Sequence, residues 1–173
     1  MDYIPTPEEC IEILKNSGCS EKVIIHCKAV RDLAVRIAEK ANADVKLVEI
    51  SALLHDIGRS KTHDIRHAVE GAKIAKKLGL PDKIIRIIER HIGAGLPAHE
   101  AKKLGLPIKD FLPETLEEKI VCHADSLIDN NIKQTIEKQV EKVLLEGHNE
   151  YAVRLVNLHK ELSDICGIDV NNI

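Results

Sequence analysis

Six side chains in this sequence have the types and positions to hold metal: His26, His55, Asp56, His67, His91 and Asp125. Each falls on a stretch whose apolar pattern turns it inward, where an imidazole or carboxylate needs a strong partner to offset its lost hydration. Neutral imidazoles and carboxylates are the donors of divalent transition-type ions. His26, His55, Asp56 and Asp125 suffice for one ion and leave positions open for water and substrate. His67 and His91 add a second ion if Asp56 bridges. Such ions acidify a bound water by several pKa units and hold a phosphoryl group for in-line attack. The chemistry implied is hydrolysis of a phosphate ester or anhydride.

A single inward histidine is more often a hydrogen-bonded core residue than a ligand. The dipeptide His-Asp also occurs twice, at 55–56 and 63–64, and carries little weight alone. The weight lies in several polar residues that separate helical patterns each turn inward.

The elements that must position them are helices. Thr6-Pro7-Glu8-Glu9 is a helix start, with a cap, a proline at the first helical position and a capping box, and Gly18 ends that helix. Ser20 caps a longer one to about Asn42, whose apolar residues 23, 27, 30, 34, 37 and 41 form one stripe with His26 beside it. Residues 44–57 are apolar nearly all round from Leu47, as in a buried central helix, with His55-Asp56 in the last turn and Gly58 as its stop. A helix from about Asp64, its N-cap, to Leu78 aligns His67, Gly71 and Ile74, and Gly71 allows a backbone or ligand to come close. Pro81 opens a helix in which Ile84, Ile87, Ile88 and His91 share a face as far as Gly93-Ala94-Gly95.

The heptapeptide Ala-Lys-Lys-Leu-Gly-Leu-Pro recurs at 75–81 and 101–107, and both copies spell a Schellman-type helix stop. Residues 106–114 read as an irregular loop that lies over a pocket or crosses the surface. A second capping box, Thr115 with Glu118, opens a helix to about Asn130 that carries Asp125. Two amphipathic helices, about 132–146 and 149–166, show no special polar residue inside. No stretch reads as a strand. The class is all-α, a compact helical bundle in a single domain over 1–173, with its core at about 20–130 and buttress helices in 131–173.

The five cysteines contain no C-x-x-C pair and read as reduced thiols, with Cys27 and Cys122 in the core. No apolar run reaches membrane-spanning length, and the start Met1-Asp2-Tyr3-Ile4-Pro5 lacks the features of a signal peptide, which points to the cytoplasm. The 25 basic and 28 acidic residues are interspersed, and only Tyr3, Phe111 and Tyr151 are aromatic. That composition argues against a nucleic-acid polymer as partner.

The order His26, His55-Asp56, Asp125 resembles the H…HD…D pattern of the HD-domain metal-dependent phosphohydrolases, over about residues 20–130. Leu54-His55-Asp56-Ile57-Gly58 resembles the HDIG subgroup. His67-Ala-Val-Glu-Gly71 and His91 resemble the extra histidines of two-metal members, and the whole chain is similar to an archaeal branch without an assigned substrate. The resemblance implies that His26, His55, Asp56 and Asp125 bind one ion and that Asp56 bridges to a second held by His67 and His91. It implies one or two divalent ions (Mn, Fe, Co, Ni or Mg) and catalytic roles for Asp56 and for Arg59 or Lys61 as phosphate-binding cations. For Arg59 and Lys61, a solvated loop is an equal alternative. The expected substrate is a nucleotide or small phosphate ester, and a homodimer is left open.

Two departures bear on substrate. His91-Ile92 stands where many cyclic-dinucleotide members have two histidines, and no Gly-Tyr-Pro follows, which disfavours that class. Ile57-Gly58 replaces the Glu-Asp pair of stringent-response hydrolases. The competing expectations are a non-catalytic nucleotide- or metal-binding module and a di-iron oxygenase. His63, His99, His123, His148 and His159 are expected at the surface or behind the ligands.

Overall fold

Local capping chemistry sets most helix ends in the computed structural model, which describes residues 3–173. Met1 and Asp2, part of the reading of the chain's start, lie outside the described residues. Helix α1 (Pro7–Ser17) opens with a complete capping box: the Thr6 hydroxyl accepts from the Glu9 N–H and the Glu9 carboxylate from the Thr6 N–H. Helix α2 (Glu21–Ala41) runs from the Ser20 cap to Asn42, whose left-handed backbone stops it. Its inner face buries Val23, Cys27, Val30, Ala34 and Ile37 against helix α3 (Val45–Leu54) and helix α7 (Leu116–Leu127). Leu33, Ile37, Ile50, Leu53 and Leu54 are among the largest fully buried side chains. Burial of each stabilises the fold by about 1.5–3 kcal/mol.

Helix α3 is shorter than its apolar run suggests. It ends at Leu54, the backbone leaves α geometry at Asp56 (φ −98°, ψ 15°), and a 3-10 turn follows over Ile57–Ser60. His55 and Asp56 therefore sit at the exit of the helix and not inside its last turn. Gly58 is no helix stop. A Cβ there would lie 1.7 Å from the His67 carbonyl oxygen and 2.6 Å from the Gly71 nitrogen, so glycine allows the turn to press on helix α4 (His67–Lys77). At Gly71 the close neighbours are the Gly58 backbone and Ile88 of helix α5 (Asp82–Glu89).

Other expected boundaries also move. Helix α4 starts at His67 and not at Asp64. The Asp64 carboxylate accepts from the Arg66 N–H, and its carbonyl accepts from the His67 N–H, which forms a turn ahead of the helix. Helix α5 stops at Glu89, so His91 lies just beyond its end. The repeated heptapeptide closes α4 and helix α6 (Ala98–Lys103) in the same way: Leu80 N–H reaches Ala75 O at 3.1 Å, and Leu106 N–H reaches Ala101 O at 2.9 Å. Residues 106–114 run irregularly, with Phe111 buried and paired through its backbone to Leu96.

The second capping box forms only by half. Thr115 accepts from the Glu118 N–H, but the Glu118 carboxylate turns to the Glu114 N–H, Arg86 and Arg90. After α7 the chain makes a two-residue hairpin, β1 (Ile128–Asp129) with β2 (Ile132–Lys133), which the sequence reading missed. Asn130 and Asn131, both with positive φ, are the residues that such a tight turn favours. Helix α8 (Ile136–Leu145) and helix α9 (Asn149–Cys166) then pack together, and α9 lies on α7 and α2. The architecture is all-α apart from that hairpin. Among the described residues, no helix is long and apolar enough to cross a membrane.

Helix α9 does carry a polar residue inside. His159 and His123 of α7 are both buried and share a 2.8 Å hydrogen bond, and His159 Nε2 lies 2.9 Å from Asp169 Oδ1. A carboxylate only accepts, so His159 donates from Nε2 and accepts at Nδ1 from His123 Nε2–H. Burial first, and then the neighbouring His159 imidazole, push His123 down to about 3.

Two outcomes follow. Gly58→Ala drives a Cβ into the α4 backbone and is expected to lower unfolding stability by about 2 kcal/mol or more. Denaturant melts with an unchanged midpoint would show that the turn can yield. The depressed His123 value gives the second. Above about pH 6.5 both states hold this imidazole neutral; below it only the unfolded chain gains the proton. Stability is thus full above that pH and is lost, by about 1 kcal/mol per pH unit, as pH falls toward 3. Melts at several pH values should find a shallower acid slope in His123→Gln, and parallel slopes would contradict the assignment.

Candidate metal centre

The exits of α3 and α5, the start of α4, and the faces of α2 and α7 bring His26, His55, Asp56, His67, His91 and Asp125 into one cluster. His55, Asp56, His67 and His91 are buried. His26 and Asp125 keep about a quarter of their side chains in solvent, 24% and 22%, and form the open side.

Asp56 divides the cluster. Its Oδ2 faces His26 Nε2 at 3.6 Å and His55 Nε2 at 3.7 Å, while its Oδ1 faces His67 Nε2 at 3.2 Å and His91 Nε2 at 3.3 Å. Asp125 Oδ1 completes the first group, 2.9 Å from His26 Nε2 and 3.2 Å from His55 Nε2. In the second group, the Nε2 atoms of His67 and His91 are 3.0 Å apart.

The backbone fixes three of the imidazoles. Nδ1 of His55 lies 2.7 Å from Ala52 O, Nδ1 of His67 2.8 Å from Asp64 O and Nδ1 of His91 2.6 Å from Ile88 O. A carbonyl only accepts, so each Nδ1 donates, and in the neutral form that can ligate metal each ring turns its Nε2 lone pair inward. In His67 and His91 two such lone pairs face each other. That contact is repulsive between neutral rings and becomes favourable when both bind one cation. His55 Nε2 and Asp56 Oδ1 are buried without a hydrogen-bond partner, the kind of orphaned atom that an ion satisfies. Separations near 3 Å also match the edge between adjacent donors at roughly 2.1 Å from an ion. The residues present fit a divalent ion, and Asp56 has one oxygen for each of two.

The electrostatics agree. Burial disfavours charge on Asp56 and Asp125, yet His55 beside both, with the other imidazoles, holds their carboxyls well below the usual range. Burial pushes the His55 imidazole down, but Asp56 and Asp125 more than reverse it, and the net shift is well upward. For His91 burial prevails and the shift is downward. The negative field that favours a proton on His55 is the field a dication would meet.

Arg59 Nε donates to Asp56 Oδ2 at 2.9 Å, and its Nη1 donates to His63 O at 3.0 Å, so Arg59 is tied to the cluster and not to solvent alone. Lys61 is exposed and lines a cleft of about 240 Å³ with Thr62, Arg66 and Glu70. Sequence reasoning gave Glu118 only a capping role; it is a buried carboxylate bonded to Arg86 and Arg90 that ties the end of α5, next to His91, to the start of α7. The signal was two arginines four apart just before the ligand.

The HD domain family matches residues 23–130. A protein of Picrophilus torridus named tRNA (cytidine(56)-2'-O)-methyltransferase is 47% identical over 99% of this chain and 50% of its own length. The chain thus spans half of that relative. An uncharacterized protein of Methanocaldococcus jannaschii is 48% identical over 91% of this chain and 97% of its own. Among solved structures, the HD domain of the L. monocytogenes phosphodiesterase PgpH in complex with cyclic-di-AMP is similar in fold. Its TM-score is 0.56 at 21% identity, over 91% of this chain and 96% of that one.

A binding outcome follows from the orphaned donors. Protein stripped by a chelator and resupplied with Mn2+ at about 100 times its Kd should gain about 2.7 kcal/mol of stability per ion. Asp56→Asn should lose most of that gain. Thermal melts that do not move with metal would mean that the cluster is only a hydrogen-bonded core.

Proposed function

The chain belongs to the HD-domain family, and we propose that it is a metal-dependent phosphohydrolase acting on a nucleotide or small phosphate ester or diester. The observation that carries this reading is the convergence of backbone-fixed Nε2 lone pairs on the two oxygens of Asp56. When bound, ions at such a site supply an acidified water and offset the charge that builds on a phosphoryl group.

In this reading His26, His55, Asp56 and Asp125 hold one ion, and His67 and His91 hold a second with Asp56. Mn, Fe, Co, Ni and Mg are the candidates. His26 and Asp125, on the open side, face the incoming substrate. Arg59 orients Asp56 through Nε and keeps Nη2 as a donor for a phosphate oxygen. Lys61 supplies a mobile charge at the adjoining cleft. The carboxylates remain ionised at neutral pH, so they act as ligands and hydrogen-bond acceptors.

A second reading has one observation in its favour. The Picrophilus relative, matched along nearly all of this chain, is named for an activity on tRNA. On that reading the phosphate ester is carried by RNA, although 25 basic against 28 acidic residues give no basic surplus to hold a polymer.

The test is a panel. Stripped protein is resupplied with each of the five metals and given bis(p-nitrophenyl) phosphate, nucleoside mono-, di- and triphosphates, cyclic nucleotides and a short oligoribonucleotide. Turnover is expected with at least one metal, and Asp56→Asn should reduce it by at least about 100-fold. If metal binds and no substrate turns over, the chain is a binding module. Oxygen consumption in place of phosphate release would make it an oxygenase.

A further inference from the structure

The strap that carries His91 out of α5 is held in part by helix α9, which lies beyond the residues 23–130 that the HD family matches. Beyond His91 the chain turns through Gly93 (φ +57°) and Gly95 (φ +91°) before Leu96 pairs with Phe111. The Gly93 carbonyl accepts from Ser126 Oγ at 2.8 Å and from Cys122 Sγ at 3.1 Å, both on the α7 face that flanks Asp125. Over the other side of Gly93 lies the ring of Tyr151, from the first turn of α9. A Cβ at Gly93 would meet that ring at 3.1 Å.

Burial pushes the Tyr151 phenol up to about 12, so its hydroxyl stays neutral, with Ser126 among the groups beside it. One turn further on, Arg154 holds both carboxylate oxygens of Glu100 in α6, at 2.7 and 2.8 Å. Helix α9 therefore grips the segment after His91 at two points. The Gly93 grip bears directly on the orientation of the ligand two residues earlier.

We infer that Tyr151, acting through Gly93 and Ser126, is a positioning residue that fixes His91 for the second ion. The C-terminal helices are then a working part of the metal centre and not a buttress. This rests on the two-ion reading above. A side chain that orients a ligand without touching the ion changes metal affinity by about 10- to 100-fold when removed.

The experiment titrates the stripped full chain with Mn2+ and follows each ion by calorimetry and the coupled Mn pair by electron paramagnetic resonance. Tyr151→Ala is expected to weaken the second ion by about 10-fold or more and to diminish the coupled signal, with the first ion unchanged. Tyr151→Phe should fall between it and the natural protein. Leu155→Ala, a buried α9 position that takes no part in the contacts with Gly93 and Glu100 described above, should lower Tm without altering the ratio of the two affinities. Equal affinities in Tyr151→Ala and the natural protein, or a loss shared equally by both ions and by Leu155→Ala, would overturn the clamp and leave two-ion binding standing. A natural protein that takes up one ion only would overturn both. Should Tyr151→Ala not fold, Ser126→Ala, which removes one hydroxyl, carries the test with the same opposed outcomes.

Discussion

The Asp56 carboxylate is the constraint around which the rest of this fold is arranged. It is buried with 4% of its side chain exposed, and an ionised group in such a place carries a desolvation penalty of several kcal/mol unless it is surrounded by compensating charge and donors. Oδ2 has the Arg59 guanidinium, while Oδ1 has two imidazoles whose protons are committed elsewhere. Half of this carboxylate is satisfied by protein and half is left for something positive. The short α3, the 3-10 turn at Gly58 and its pressure on α4 are the means by which four elements reach this one side chain.

A centre of this kind works against local stability. Facing lone pairs on His67 and His91, the partnerless His55 Nε2 and the partnerless Asp56 Oδ1 each make the metal-free fold less favourable. What offsets them is the aliphatic core of α2, α3, α5 and α7, almost free of aromatic residues and therefore dependent on close packing of Ile, Leu, Val and Ala. An ion held by these atoms would relieve the strain that its own ligands create, and so would link binding to folding.

How much of this was legible in the sequence divides along physical lines. Long amphipathic helices with Ser and Thr caps and glycine stops could be read, because their signals lie within a few residues of the boundary they set. His26, His67 and Asp125 lie on helices whose period turns them toward the cluster, whereas His55, Asp56 and His91 come to it just beyond helix ends, where the period no longer dictates direction. The exit of α3 could not be read. It ends without a left-handed residue, and Gly58 owes its identity to the His67 carbonyl in the next helix. Asp64 looked like a cap because its type suits one, while its carboxylate in fact closes a turn on Arg66. His159 was hidden because one histidine on an amphipathic helix looks like a surface residue until His123 and Asp169 arrive from elsewhere in the chain.

Helix α7 shows why the two halves of the chain work as one object. Across twelve residues it presents Glu118 to the arginines of α5, Cys122 and Ser126 to the strap after His91, His123 to α9 and Asp125 to the open side of the cluster. A helix has room for such a division because residues three and four apart share a face and intervening ones point away. Its orientation is thereby fixed from several sides at once. A rotation that improved the approach of Asp125 to His26 would break the contacts with Gly93 or His159. The position of this carboxylate is consequently tied to His159 through His123 as well as to the residues it faces.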